Sequence, residues 1–241
     1  MLRLIMREAF ALLLASLVSV QPASVPEGSC EIEQVAVSWG FKESFRSYIS
    51  GAIANGSWET TGDVGYAIPE FRFTDGEGYV SPDRVQGVIS FEGTLVFSGH
   101  GGILETSLSQ PELHFRGPRE ALLIVDVAGD TMDEVSVNQK DVPFAKVTWD
   151  RGSQSVSRST GVWEVEDAQV VITADGSAAF GTYPEGEVMD PMSLRIQVEP
   201  GCFDEGGVWW IPGGVVALAV TAAAATVVIQ RGRKSRGQER P

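Results

Sequence analysis

Residues 85–97, VQGVISFEGTLVF, place an apolar residue or a glycine at every second position. A period of two residues is typical of a β-strand that buries one of its faces. Further candidate strands occur at residues 121–127, 145–149 and 193–198, and turns rich in Gly, Asp, Asn and Pro interrupt the chain between candidates. We therefore predict a mainly β fold, in the form of a β-sandwich-like single domain with one or two short helices.

A β-hairpin is predicted between residues 168 and 182. Its two strands, residues 168–174 and 177–182, flank Asp175 and Gly176. An Asp-Gly pair favours the two-residue turn of a hairpin, so both segments are expected to join the sheet.

Residues 41–54 depart from the β pattern and predict a helix. Apolar residues recur there at helical spacing: Phe41, Phe45, Tyr48, Ile49, Ala52 and Ile53. Ser38 is positioned to cap the start of the helix, and Asn55 with Gly56 forms a natural stop. Tyr48 is therefore expected on the apolar face of this helix or beside it.

The two ends of the chain predict export and membrane anchoring. Residues 1–23 combine a basic start, an apolar stretch and small residues near Ala23, as in a secretory signal peptide. Residues 208–229 carry no charge and would span about 33 Å as a transmembrane helix, and a basic tail at residues 230–241 follows. We predict that residues 24–207 form the exported domain of a single-pass cell-membrane protein whose basic tail is cytoplasmic.

The charge of the exported domain argues against nucleic acid as a partner. The chain has a net charge of −14, to which the signal region contributes +1 and the tail +4, leaving −19 for residues 24–207. Nucleic-acid binding requires a basic face, and an acidic domain is also repelled by anionic lipid. The acidic surface is best explained by solubility.

Cys30 and Cys202 are the only cysteines, and they bracket the predicted domain. Outside the cell a disulfide between them is favoured over free thiols. Neither cysteine has a CxxC partner or a nearby histidine, so a metal site there is disfavoured.

Three segments carry a resemblance to a known family. They are WGFKESFRSYISG at residues 39–51, GTLVFSGHGG at residues 93–102, and FGTYPEG at residues 180–186 with Asp190-Pro191 just beyond. In this order and spacing they resemble the HtaA domain, the haem-transport-associated module of Gram-positive surface proteins. A signal, one such domain and a C-terminal membrane helix are similar to the layout of the single-domain members of that family.

The resemblance implies a haem site and names its residues. Tyr48 would be the axial ligand of ferric haem b, His100 would hydrogen-bond to that tyrosine, and Tyr183 would have a supporting role. Other HtaA-domain surface proteins and a haem-importing permease system would be the partners. A free tyrosine has a pKa near 10, so iron and a histidine N–H would both help to form the phenolate.

Other interpretations of these residues stay open at this point. An aromatic residue on an amphipathic helix is usually part of a core, and His114, the only other histidine, is a rival axial ligand. Lys42 and Arg46 share the helix with Tyr48 and are candidate partners for the haem propionates. Phe97, Phe45 and Trp39 are candidate apolar neighbours of the haem, because their side chains are aromatic.

No enzymatic activity is predicted, and one other function class competes. The sequence contains no GxSxG, GxGxxG, P-loop, HExxH or EF-hand pattern. The alternative to haem binding is a surface adhesion or glycan-binding module on the same β-sandwich fold, because one fold hosts many functions.

Overall fold

The computed structural model describes residues 25–130 and 136–204, and this part of the chain is mainly β, as predicted. Its strands are β1 Cys30–Trp39, β2 Ser57–Gly62, β3 Val64–Ala67, β4 Glu70–Thr74, β5 Glu77–Val80, β6 Gln86–Ser90, β7 Gly93–Gly99, β8 Leu104–Gly117, β9 Glu120–Asp130, β10 Ser136–Thr148, β11 Gln154–Ser157, β12 Val162–Ile172 and β13 Met192–Val198. Two short helices, α1 Glu43–Ser50 and α2 Ala174–Phe180, complete the fold with 3-10 turns at His100–Gly102 and Arg151–Ser153.

The strand pairs are antiparallel, and the strand order closes on itself between β1 and β12. The order is β11-β12-β10-β9-β8-β6-β5-β1-β4-β3, and β13 joins β1 to β12. β1 is shared between two sheets, because its first residues pair with β5 and its last residues pair with β4. The arrangement is consistent with the predicted β-sandwich-like domain, whose two sheets are connected through β1 and β12.

The domain has two ends, and a separate aromatic cluster lies at each. The "disulfide end" is the end at which Cys30 and Cys202 are joined, with Cα atoms 5.8 Å apart. Its cluster consists of Phe115, Trp149, Trp163 and Phe203. The "site end" is the end at which β1 finishes at Trp39, and its cluster consists of Phe41, Phe45, Phe97, Phe144 and Phe180.

The α1 helix is shorter than predicted at both ends. Phe41 has a φ of 62°, outside the right-handed helical region, so the helix begins only at Glu43. The residue at the N-cap is Lys42, which has no side-chain cap, whereas the predicted cap, Ser38, lies within β1. Ile53 is 78% exposed, which places it beyond the helix and off its buried face.

The hairpin predicted at residues 168–182 is wrong, because its second half is the helix α2. The hydroxyl of Thr173 accepts a hydrogen bond from the Gly176 N–H, which caps the helix in place of a β-turn. Asp175 in the first turn is also favourable at a helix N-terminus. Gly176 packs directly on β10, where a Cβ would lie 2.1 Å from the carbonyl oxygen of Phe144.

The alternation at residues 85–97 is confirmed, but it belongs to two strands. β6 ends at Ser90 and β7 begins at Gly93. Side chains continue on one buried face across the break: Ile89, Phe91, Leu95 and Phe97. The predicted strands at 121–127, 145–149 and 193–198 coincide with β9, the end of β10 with Trp149 just beyond it, and β13.

The predictions of a signal peptide at residues 1–23, a membrane helix at 208–229 and a cytoplasmic tail at 230–241 fall outside the described residues. Within residues 25–130 and 136–204, no helix is long and apolar enough to cross a membrane.

Candidate functional site

Tyr48 reaches the surface of the site end from α1. Phe45 and Ile49 face inward from this helix and are buried, at 3% and 0% exposure. Tyr48 lies next to them on the same side and is half-buried, so its ring joins the core while its hydroxyl points outward. Gly51 caps the end of the helix, and its N–H donates a hydrogen bond to the carbonyl oxygen of Tyr48.

His100 is held beside Tyr48 by a left-handed turn after β7. Its φ is 53°, and Gly101 and Gly102 follow with φ of 67° and 95°. The N–H of His100 donates a 2.6 Å hydrogen bond to the carbonyl oxygen of Ala54, in the loop after α1. This bond fixes the backbone of His100 against the segment that carries Tyr48.

Gly56 permits the close approach of these two segments. A Cβ at this position would lie 1.9 Å from the carbonyl oxygen of Ser98, near the end of β7. Only a glycine therefore allows the loop after α1 to pack directly on β7. Gly56 thus helps to position His100 although it lies outside the loop that carries the histidine.

The side chains of Tyr48 and His100 form a short hydrogen bond. Tyr48 Oη lies 2.6 Å from His100 Nε2, and the ring centroids are 5.9 Å apart. Both residues are half-buried, so the pair faces solvent on one side and the aromatic cluster on the other. The predicted pairing of these two side chains is thus present in space.

An open cavity of about 320 Å³ adjoins the tyrosine. It is lined by Phe45, Tyr48, Leu104, Thr182 and Tyr183. The lining is largely apolar and aromatic, with few polar groups, which is typical of sites for small organic ligands. Tyr48 is part of this wall, so its phenol offers an oxygen ligand beside the apolar lining.

Tyr183 forms another wall of the cavity. Its ring stacks on Phe180 with centroids 6.3 Å apart and an interplanar angle of 13°. The hydroxyl lies 3.3 Å from Ser44 Oγ, and the backbone carbonyl accepts a 2.7 Å hydrogen bond from Ser177 Oγ. These contacts place all three predicted site residues at the same end of the domain.

The two basic residues of α1 are already paired with acidic side chains. Lys42 Nζ lies 2.6 Å from Glu187 Oε1, and Arg46 Nη2 lies 3.0 Å from Asp190 Oδ2. These ion pairs tie α1 to the segment between α2 and β13. They leave little support for the hypothesis that Lys42 or Arg46 binds the haem propionates.

One of the three apolar residues predicted to contact the ligand lines the cavity, and the other two do not. Phe45 lines it, but Trp39 and Phe97 are buried behind it, at 2% and 0% exposure. Sequence reasoning missed Leu104 and Thr182, which complete the lining. Thr182 was part of a quoted motif, whereas Leu104 follows the histidine loop without any distinctive pattern.

His114 lies far from the cavity, toward the disulfide end of β8. It is ten residues beyond Leu104 on this strand, which corresponds to roughly 30 Å. Its Nε2 atom is 2.6 Å from Glu112 Oε2, so it is a half-exposed surface residue with an acidic partner. The position of His114 does not allow it to share a ligand with Tyr48.

Comparisons with known proteins point to one family. The family model named HtaA matches residues 34–195. Two solved structures are similar: the C-terminal domain of HtaA from Corynebacterium glutamicum has 35% identity and a TM-score of 0.63, and the N-terminal domain of the same protein has 28% and 0.60. Each match covers 70% of this chain and 98% of the relative.

The fold is also shared with a third solved structure, the haem-binding protein HtaB from Corynebacterium glutamicum. That structure has 22% identity and a TM-score of 0.55, and the match covers 71% of this chain and 97% of HtaB. At this identity the likeness concerns the fold. A comparison with curated proteins gives no significant match.

Proposed function

The chain belongs to the HtaA family, and from this premise we propose that it binds ferric haem b as cargo at the site end, with Tyr48 as the axial ligand of the iron. The observation that carries the proposal is the 2.6 Å contact between Tyr48 Oη and His100 Nε2 beside an aromatic cavity. A buried tyrosine hydroxyl usually finds some hydrogen-bond partner, and at this hydroxyl, on the wall of an open aromatic cavity, that partner is an imidazole. A ligand tyrosine would use it to orient the ring and to support the phenolate.

The chemistry of the pair suits ferric iron. Phenolate is a hard, anionic oxygen donor, and a bound cation favours the deprotonated form of any coordinating acid. A histidine N–H that donates to the phenolate oxygen makes a charge-assisted hydrogen bond, which is stronger than a neutral one. His100 is therefore a positioning residue that acts through Tyr48 rather than a second ligand.

The remaining lining supports the ring of the haem. Phe45 and Tyr183 present aromatic surface, and Leu104 presents an aliphatic side chain, so most of the contact with a porphyrin would be apolar. Tyr183 has the supporting role, in which its ring forms a wall and its hydroxyl stays near Ser44.

This arrangement suits haem relay, in which a protein accepts haem from one protein and passes it to another. Tyr48 would bind one face of the iron, and His114, the other histidine, is roughly 30 Å away along β8. With Tyr48 as the one protein ligand, the haem would stay accessible to a ligand from a second protein, which would then take over the haem. We propose that the exported domain accepts haem and hands it to other HtaA-domain proteins or to a haem-importing permease system, from a position on the cell membrane.

The proposal is tested by titrating the purified full chain with ferric haem. We expect a saturable Soret band that reaches its end point at one haem per protein, with the charge-transfer absorption of a high-spin ferric tyrosinate. A spectrum of free haem alone would exclude haem binding. That result would favour the alternative function, a surface adhesion or glycan-binding module.

A further inference from the structure

The site end and the disulfide end lie at opposite ends of the strands. β1 runs from Cys30, in the disulfide, to Trp39, which packs on Phe41 just before α1. Ten residues of strand correspond to about 30 Å. β8 spans the same two ends, because Leu104 lines the cavity while Phe115 belongs to the aromatic cluster at the disulfide end.

The chain leaves the domain at the disulfide end, and its exit is fixed. Cys202 is bonded to Cys30, and Phe203 is fully buried. The N–H of Asp204 donates a 3.0 Å hydrogen bond to the carbonyl oxygen of Pro82. The last described residues therefore follow the body of the domain closely.

Little chain separates this exit from the predicted membrane span. Only residues 205–207 lie between Asp204 and the uncharged segment 208–229, and that stretch reaches at most about 14 Å when fully extended. This reach is shorter than the roughly 30 Å between the two ends of β1. The site end can approach the bilayer only if the whole domain lies down on it.

The charge of the domain opposes that orientation. Residues 24–207 have a net charge of −19, which a membrane surface rich in anionic lipid repels. An upright domain keeps most of this charge away from the lipid headgroups. The charge thus disfavours the lying-down orientation, which is the one way in which the fixed exit would let the site end reach the bilayer.

Exposed aliphatic side chains gather at the site end as well. Ile53 is 78% exposed and Ile103 is 59% exposed, in the two loops that hold Tyr48 and His100 together. Ile68, at 87%, is at the β3–β4 turn beside α1, and Val188, at 48%, follows the Glu187 that pairs with Lys42. Single exposed apolar residues are common on protein surfaces, but Ile53 and Ile103 flank the Tyr48–His100 pair, where a protein that exchanges haem would make contact.

We propose that the domain stands on its membrane segment with the Tyr48–His100 site at the far end, so that haem is exchanged with a protein that reaches this end from the aqueous side. The contact surface on this chain consists of the loops that carry Ile53, Ile68 and Ile103. The partner is a haem-carrying protein rather than the lipid bilayer. This inference rests on the proposed haem function and on anchoring by residues 208–229.

The orientation is measured with the full chain in vesicles of phosphatidylcholine and phosphatidylglycerol that contain a headgroup-labelled energy acceptor. Donor dyes are placed on Glu105→Cys or Arg116→Cys, two exposed positions of β8, while the native cysteines stay oxidised. We expect energy transfer to be about twofold or more weaker from Glu105→Cys, because this label lies roughly 35 Å farther along the strand. Equal transfer from both labels, or stronger transfer from Glu105→Cys, would overturn the orientation.

Two further results separate the inference from the function on which it rests. If neither label transfers energy to the vesicle, the chain is not anchored as required, and the inference fails. Haem titration of the unlabelled protein in the same vesicles is the independent readout. A normal Soret band together with equal energy transfer overturns only the orientation. Weaker transfer from Glu105→Cys without a Soret band overturns the haem function and the haem exchange with it, while the orientation of the domain stands.

Discussion

The hydroxyl of Tyr48 and the imidazole Nε2 of His100 are 2.6 Å apart, although 52 residues separate them in the chain. Two backbone features bring them together. The N–H of His100 bonds the carbonyl oxygen of Ala54, and Gly56 lets the same loop pack on β7. The pair is therefore set by the fold itself, so the site is organised before any ligand arrives.

Replacing His100 by Asn should weaken haem binding while leaving the tyrosine ligand in place. Asn tolerates the left-handed backbone of this position better than most residues, so the turn is expected to survive. Loss of a hydrogen-bonding partner behind a metal ligand typically costs about 10- to 100-fold in affinity. Haem titration and the rate of haem transfer to apomyoglobin would measure the change.

The matched control is His114→Asn, which changes the other histidine at a remote surface position. This variant should bind haem as the unmodified protein does. Equal affinities of His100→Asn and the unmodified protein would show that the histidine does not act through Tyr48.

The strand pattern was predictable because burial imposes a period of two on the sequence. The alternation of Ile89, Phe91, Leu95 and Phe97 survives a break between two strands, so the buried face was correct although the strand boundaries were not. The α2 helix was not predictable from Asp175-Gly176, because its cap by Thr173 and its packing on Phe144 depend on β10.

Much of the site could not be predicted from local sequence patterns, because it depends on tertiary contacts. The family resemblance named Tyr48, His100 and Tyr183, but their proximity follows from the loop contact through Ala54. Leu104 carries no pattern that distinguishes it from other strand residues. The pairing of Arg46 with Asp190 likewise joins residues 144 apart, and no local rule predicts it.

Tyr183 should act through its ring more than through its hydroxyl. Tyr183→Phe keeps the stack on Phe180, so we expect a loss of affinity below about tenfold, whereas Tyr183→Ala removes a wall of the cavity and should cost more. Haem titration of both variants measures the difference. Equal losses in the two variants would instead assign the function to the hydroxyl.

Removal of the disulfide should destabilise the domain without altering the haem spectrum. The bond joins residues 172 apart, and the chain-entropy argument gives about 5 kcal/mol for a loop of this length. Urea denaturation of Cys30→Ser/Cys202→Ser would measure the loss in the free energy of unfolding. The Soret band of the folded fraction should be unchanged, since the disulfide lies roughly 30 Å from the site end. A change of that band would contradict the separation of the two ends.

Asp83 should stabilise the fold at neutral pH and cease to do so in acid. The hydroxyl of Ser81 donates a hydrogen bond to its carboxylate, which lowers the pKa of Asp83 from the usual 3.8. Because the pKa is lower in the folded protein, the stabilisation is present above the unfolded-state pKa and is lost as pH falls through the folded-state value.

The corresponding measurement compares Asp83→Asn with Asp150→Asn, a change at another exposed aspartate. Urea denaturation at pH 7 should show a loss below about 1 kcal/mol for Asp83→Asn, because the loop is solvated. The two variants should converge as the pH falls below the ordinary value of 3.8 and through the lower folded-state pKa of Asp83, because the carboxylate is then protonated. A difference that grows in acid would contradict this assignment.

The central claim, axial ligation by Tyr48, is tested most directly by the electronic spectrum of the ferric haem complex of Tyr48→Phe. Tyr66→Phe is the matched control, because Tyr66 packs on Trp58 and Phe71 away from the cavity. We predict that Tyr48→Phe loses the tyrosinate charge-transfer band and binds haem more than about 100-fold less tightly, a larger loss than that expected for His100→Asn. A Tyr48→Phe complex with the same band and affinity as the Tyr66→Phe control would contradict the claim.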